Sequence, residues 1–257
     1  MTVKILRLSM FFMFTLLLSN TSKSQNNSIS DSNSTKLQLN ISSDIMSRYI
    51  WRGSDYGNSP SIQPTLSIST KHFELGCWGS IATNSFYKEV DLYAKYTYKN
   101  ISLIFTDYYI PLVNGTPSSP DNRYFMYDDK KTAHSFESSV LLTGGDKFPL
   151  WLLGTVYIYG NDKRWGYDPE KDNTDKTYYS SYVEIGYTFA VRENIADLFI
   201  GFTPYAGAYG HSTGFINIGV TGYRKIKITD DFELPIKASL IGNPQSSNMF
   251  FVFGIKL

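Results

Sequence analysis

Side chains able to act as a base, a nucleophile or a metal ligand are scarce in this chain: three histidines and one cysteine among 257 residues. Acyl-transfer chemistry needs a nucleophile within hydrogen-bond reach of a base that a third group orients. His72 falls at a predicted tight turn, and His134 is followed by Ser135, which strand alternation sends to the opposite face. His211-Ser212 lies at a loop tip near Tyr205 and Tyr209, where mere adjacency makes a poor dyad. Cys77 has no partner for an intrachain disulfide and alternates with Phe73, Leu75 and Ile81, so it reads as a packed or lipid-facing thiol. No two histidines have ligand spacing, and the acid-rich stretch 161–177 lacks the glycine and closing glutamate of a calcium loop. Gly144-Gly145 reads as a hairpin turn, not a phosphate cradle. The expectation is no enzyme, no cofactor and no metal site.

Charged residues at alternate positions carry the more informative pattern. In extended segments Asp44, Glu74, Glu89, Asp91, Glu137, Glu184 and Glu233 share their face with polar neighbours, as do Arg48, Lys95, Lys225, Lys227 and Lys237. Such groups are candidates for lining a wet interior. Acids outnumber bases there, which points to a mild preference for cations or neutral solutes if the interior conducts. The alternative is that they cross-link neighbouring strands as ion pairs and line no open path.

These side chains need strands to position them, and the chain supplies strands almost throughout. Val90, Leu92, Ala94, Tyr96 and Tyr98 interleave with Glu89, Asp91, Tyr93, Lys95 and Thr97, so a pleated strand places one face in an apolar medium and the other in water. Leu37, Leu39 and Ile41 against Gln38, Asn40 and Ser42 follow the same rule, as do Phe232 to Leu240 against Glu233, Lys237 and Ser239. Runs of about ten residues closed by turns predict an all-β, antiparallel transmembrane barrel over residues 37–257. Tight turns at 71–72, 99–100, 144–147, 192–194 and 229–231 alternate with wider loops at 53–59, 84–85, 112–131, 161–177, 209–213 and 243–247. That pattern predicts twelve strands with both termini on the periplasmic side. Met249, Phe251, Phe253, Ile255 and Leu257 alternate to the last residue, the kind of edge strand a barrel assembly machinery could pair with.

The start of the chain indicates the compartment. Lys4 and Arg7 precede the apolar run Leu8 to Leu18, and Ser22 and Ser24 suit a cut before Gln25, so residues 1–24 read as a removed signal peptide and 25–36 as a short flexible segment. The apolar run falls short of the about 20 residues needed to span a bilayer. An exported chain of half-apolar strands is expected in the outer membrane of a Gram-negative bacterium. Of the 24 bases, Lys4, Arg7 and Lys23 leave with the signal, so 21 face 23 acids and the net charge is −2, which gives nucleic acid no purchase. The 20 tyrosines and 17 phenylalanines suit aromatic girdles at membrane boundaries better than the long apolar runs of a soluble sandwich.

Several local features carry their own expectations. Arg48 is expected to point inward beside Asp44, with Tyr49 and Trp51 facing lipid at the outer boundary. Pro60 and Pro64 suit a loop-to-strand transition better than a strand centre. Asp107 follows Ile101, Leu103 and Phe105 on the apolar face, so the strand is expected to leave the bilayer there or to bulge. Phe125-Met126-Tyr127 argues that the loop carrying Asn114-Gly115, Pro117 and Pro120 folds inward or over the mouth.

Ser47-Arg48-Tyr49-Ile50-Trp51-Arg52-Gly53, Pro60-Ser61-Ile62-Gln63-Pro64-Thr65-Leu66-Ser67, Gly76-Cys77-Trp78-Gly79 and Lys88-Glu89-Val90-Asp91-Leu92-Tyr93 together resemble the TorF-type porin family, which is marked by a Gly-Cys-Trp motif. The resemblance runs along the mature chain, with its specific motifs in the first third. It implies an outer-membrane barrel of porin type and brings no substrate or catalytic residue. The expected function is passive diffusion of small solutes across the outer membrane, with outer-membrane lipid and the assembly machinery as partners. The alternative is a non-conducting structural or surface-binding barrel that acts through its loops.

Overall fold

A computed structural model describes residues 36–111, 122–128, 131–145, 148–162 and 177–257. The proposed signal peptide, most of the following segment and the centres of the two longest loops lie outside these residues. Twelve antiparallel strands form a closed barrel. They are β1 (Gln38–Met46), β4 (Ser61–Ser69), β5 (Phe73–Ala82), β6 (Lys88–Tyr98), β7 (Ile101–Tyr109), β8 (His134–Gly145), β9 (Phe148–Gly160), β10 (Ser181–Val191), β11 (Asn194–Thr203), β12 (Gly214–Lys227), β13 (Glu233–Asn243) and β14 (Asn248–Lys256). Between β1 and β4 the chain makes a separate hairpin of β2 (Tyr49–Trp51) and β3 (Ser54–Tyr56).

Each wall strand pairs with its sequence neighbours, and β14 returns to β1. The seam is short. It runs from Asp44↔Lys256 to Met46↔Gly254, extended by mutual backbone bonds between Ser43 and Leu257, so the start of β1 is paired with β4 alone among the described residues. Tight turns gather at one end of the barrel, here the turn end, and wider connections at the other, the loop end. The start of β1 and the end of β14 both lie at the turn end. Lys99 and Arg192 adopt positive φ in two of the two-residue turns, the twist that lets an antiparallel pair close without splaying.

Burial is inverted relative to a water-soluble protein. Ile41 is 74 % exposed and Phe251 69 %, whereas Glu137 is 1 % exposed and Ser67 4 %. The alternation expected for β6 is met residue by residue: Glu89 and Asp91 are buried inside, Val90 and Leu92 exposed outside. Large apolar side chains on a whole outer face stabilise nothing in water and call for an apolar surrounding. Among the described residues no helix is long and apolar enough to cross a membrane, and a barrel crosses with strands.

Among the described residues the register shifts at three places, one of them between Thr143 and Gly145 near the β8–β9 turn, and the other two redirect side chains. Between β11 and β12 the register shifts so that Ile216 and Asn217 both turn inward. Between β8 and β9 a shift beside Phe136 and Glu137 sends Tyr157 inward and Tyr159 outward. Pro64 departs from expectation. It sits within β4, paired with Ser43 of β1, and because proline has no N–H the ladder to β5 lapses between Ile62↔Ile81 and Thr65↔Trp78. The interruption was foreseeable from the residue type; its position mid-strand was not.

Candidate functional site

The Gly-Cys-Trp motif shows how the wall makes room for its contents. A Cβ on Gly76 would lie 2.4 Å from the Tyr93 ring, whose hydroxyl donates to Glu74 at 2.7 Å. Cys77 points outward between Leu66 and Leu92. Trp78 points inward and packs on Tyr49, ring centroids 5.2 Å apart. Gly76 thus makes room for the Tyr93 ring, and Trp78 gives the β2–β3 hairpin a packing surface inside the barrel.

This hairpin is the centre of the interior. Tyr49 is 8 % exposed and packs against Tyr56, Trp78 and Tyr87, and Trp51 packs against Tyr108 and Tyr209. Neither ring lies on the outer boundary as expected. Tyr49 and Trp51 alternate as a wall strand would, but the chain turns back at Arg52-Gly53 before it can rejoin the wall. Interior aromatics and girdle aromatics look alike in sequence.

Arg52 forms the tip. Its guanidinium meets both Glu137 oxygens, at 2.5 and 3.0 Å, and donates to the Tyr209 hydroxyl at 2.7 Å. The same group lies over the Trp51 ring at 4.2 Å and the Tyr182 ring at 4.9 Å. Burial lowers the tendency of Arg52 to hold its proton, but the Glu137 carboxylate more than offsets this, so its pKa is raised well above the ordinary value. Arg52 is therefore a permanent cation held in a bidentate fork. Tyr209, on the loop between β11 and β12, has its hydroxyl pushed well above the usual range, first by burial, and donates to Glu137.

Gly53 allows the tip to touch the far wall. At φ +79°, its ideal Cβ would lie 1.8 Å from the Ile216 carbonyl oxygen, and Asn243 Nδ2 donates to the Gly53 carbonyl at 3.0 Å. Only a residue without a side chain fits. The hairpin crosses from the β1–β4 side to β8, β12 and β13, and Tyr108, Tyr157, Tyr182, Tyr209 and Ile216 form an apolar cluster around its tip. Arg52 and Tyr209 were missed at the sequence level. The available signal was the near-symmetric placement of Tyr49 and Tyr56 about Arg52-Gly53, a hairpin in its own right.

On the turn-end side of the tip lies a chamber of about 440 Å³ whose lining includes Asp44, Arg48, Arg52, Glu184, Asp197 and Lys237. Arg48 does not pair with Asp44 but with Asp55 of the hairpin, and Asp44 accepts from Lys237 at 2.7 Å. Glu184 accepts from Tyr182 and, at 2.6 Å, from Asn217. Lys95 pairs with Glu74 at 3.5 Å, and Lys225 with Glu233 at 4.0 Å near the turn end. Most of the candidate charges therefore cross-link strands or hold the hairpin. Glu89 and Asp91 are exceptions.

Outside the wall a second arrangement replaces two expectations. Asp107 lies on the outward face with no bulge in β7, yet is only 8 % exposed. His134 bonds it at 2.7 Å and bonds the Tyr124 carbonyl at 2.6 Å, with Tyr127 packed on the same imidazole. Residues 122–128 thus fold over the outer face of β7, β8 and β9, not into the barrel or over its mouth. A carboxylate facing an apolar medium is costly, and here a histidine and a folded-back loop cover it. Ser135 faces inward, away from His134, and the rings of His72 and His211 meet the backbone carbonyls of Thr97 and Gln245.

No protein-family model matches the chain, and no curated protein matches it.

Proposed function

We propose that this chain is an outer-membrane porin-type barrel that passes small solutes by diffusion, with the β2–β3 hairpin setting its narrowest point. The observation that carries the reading is the inversion of burial: an apolar exterior around a closed cylinder whose interior is hydroxyls, amides and charges. Short turns at one end and longer loops at the other suit periplasmic and extracellular sides respectively, which would put both termini in the periplasm. Twelve strands give a cross-section between filled eight-stranded barrels and open porins of 16 to 18 strands. An inserted hairpin is enough to decide whether such a lumen conducts. The resemblance to TorF-type porins agrees with this reading.

The packing of Trp51, Tyr108, Tyr157, Tyr182 and Tyr209 favours a second reading, a barrel closed at this level that acts through its loops. Planar-bilayer recording of the refolded protein separates the two, using the natural chain and a variant with residues 49–56 replaced by a short glycine-serine link. Small steps in the natural chain and larger ones in the variant support the constricted pore. Steps in the variant alone support the plugged barrel. Silence in both, with flat liposome swelling, rules out solute passage.

A further inference from the structure

Where the base of the hairpin meets β6, two carboxylates face the interior without a base. Glu89 and Asp91 lie two apart on the inward face of β6 and are 3 % and 5 % exposed. The nearby inward bases are committed elsewhere: Arg52 to Glu137, Arg48 to Asp55, Lys95 to Glu74 and Lys237 to Asp44. No ion pair of the described residues reaches either acid. Two buried like charges repel, and either a retained proton or a bound cation relieves that repulsion.

An independent observation comes from the neighbouring strand. Ser80 of β5 is the register partner of Glu89, is fully buried, and its Oγ has no hydrogen-bond partner; Asp91 Oδ1 has none either. Buried hydroxyls and carboxylate oxygens are ordinarily satisfied, so an orphan of each kind flanking a buried carboxylate calls for a ligand. Every donor in this cluster is a hard oxygen. Neither nitrogen nor sulfur is among them, which disfavours zinc and copper.

We propose that Glu89, Asp91 and Ser80 form an interior binding site for a hard divalent cation of the calcium class, with water completing its shell. Donors fixed on two strands at register spacing form an irregular set, which calcium tolerates and magnesium, with its strict octahedron, does not. The Tyr87 hydroxyl donates to Glu89 at 2.9 Å, and Tyr87 packs on Tyr49 and Tyr56. A cation here therefore ties the base of the hairpin to β5 and β6.

Terbium luminescence and calorimetry with CaCl2 on the refolded full chain in detergent test the site, because Tyr49, Tyr56 and Tyr87 stand close enough to sensitise terbium. The expected result is a saturable emission displaced by CaCl2, one calcium site by calorimetry, and affinity weaker by about tenfold or more in Asp91→Asn, since even outer-shell partners cost that much. Ser80→Ala keeps both charges and the fold and is expected to weaken calcium several-fold. Equal calcium affinity in the natural chain and in Asp91→Asn, or no calcium binding to the natural chain, overturns the site. Magnesium binding as tight as calcium overturns the assignment to that class. None of these readouts involves conductance, so the site and the pore can fail separately.

Discussion

Two ion pairs inside this one barrel differ sharply. At the loop end, Arg52 and Glu137 are 10 % and 1 % exposed and joined by two bonds, with Tyr209 and Thr155 completing the contacts. At the turn end, Lys225 and Glu233 are about half exposed and 4.0 Å apart. One pair joins the hairpin to the wall and the other joins two wall strands: the buried pair holds a foreign element across the barrel, while the wet pair merely lines it. Desolvation makes the difference, because a buried charge that loses its partner has no water to turn to. The loop-end half is therefore sensitive to single substitutions and the turn-end half tolerant.

The largest expected effect is from Glu137→Gln, which leaves Arg52 buried without a counter-charge. A loss of about 3–5 kcal/mol is expected, seen as a lower unfolding temperature by circular dichroism in detergent, with the hairpin becoming cleavable by trypsin at Arg52. A fall no larger than that for a turn-end charge would erase the contrast between the halves. Gly53→Ala comes next, because both the positive φ and the Ile216 carbonyl oppose a methyl group. About 1–3 kcal/mol of strain is expected, relieved by withdrawal of the tip and read as a larger single-channel conductance; unchanged conductance with unchanged stability would mean the tip is not pressed on β12. Tyr209→Phe removes a donor to the buried carboxylate and should cost about 1.5–3 kcal/mol by the same melting experiment. The smallest effect belongs to Lys225→Ala, within about 1 kcal/mol, and a larger change would show that the turn-end interior is drier than its exposure indicates.

The same contrast explains what could be read before the structure. The wall was legible because side-chain direction in a strand has period two, so β6 and β14 announce their outer faces residue by residue. The turns follow from the places where that alternation lapses. The hairpin was hidden because Tyr49 and Trp51 keep the wall's period while belonging to a different element, and only contacts to Glu137, Ile216 and Asn243, far along the chain, distinguish them. Asp107 was recognised as a misfit on its face, but its remedy came from His134 and residues 122–128, which no local pattern links to it. Of the candidate interior charges, Asp44 and Lys237 meet across the seam region and Arg48 meets Asp55, pairings that depend on register and on the hairpin's path.

The bond from Asn243 to the Gly53 carbonyl joins residues 190 apart in sequence. Contacts of such span are slow to form, because the intervening chain must be ordered before they repay its lost entropy. The tip therefore cannot find its final berth when β2 and β3 are made; it waits until β12 and β13 have been laid down. Seating the hairpin tip and sealing β14 against β1 become neighbouring events at the close of assembly, so a chain halted before β13 would hold Arg52 on Glu137 but leave the Gly53 carbonyl without its Asn243 donor.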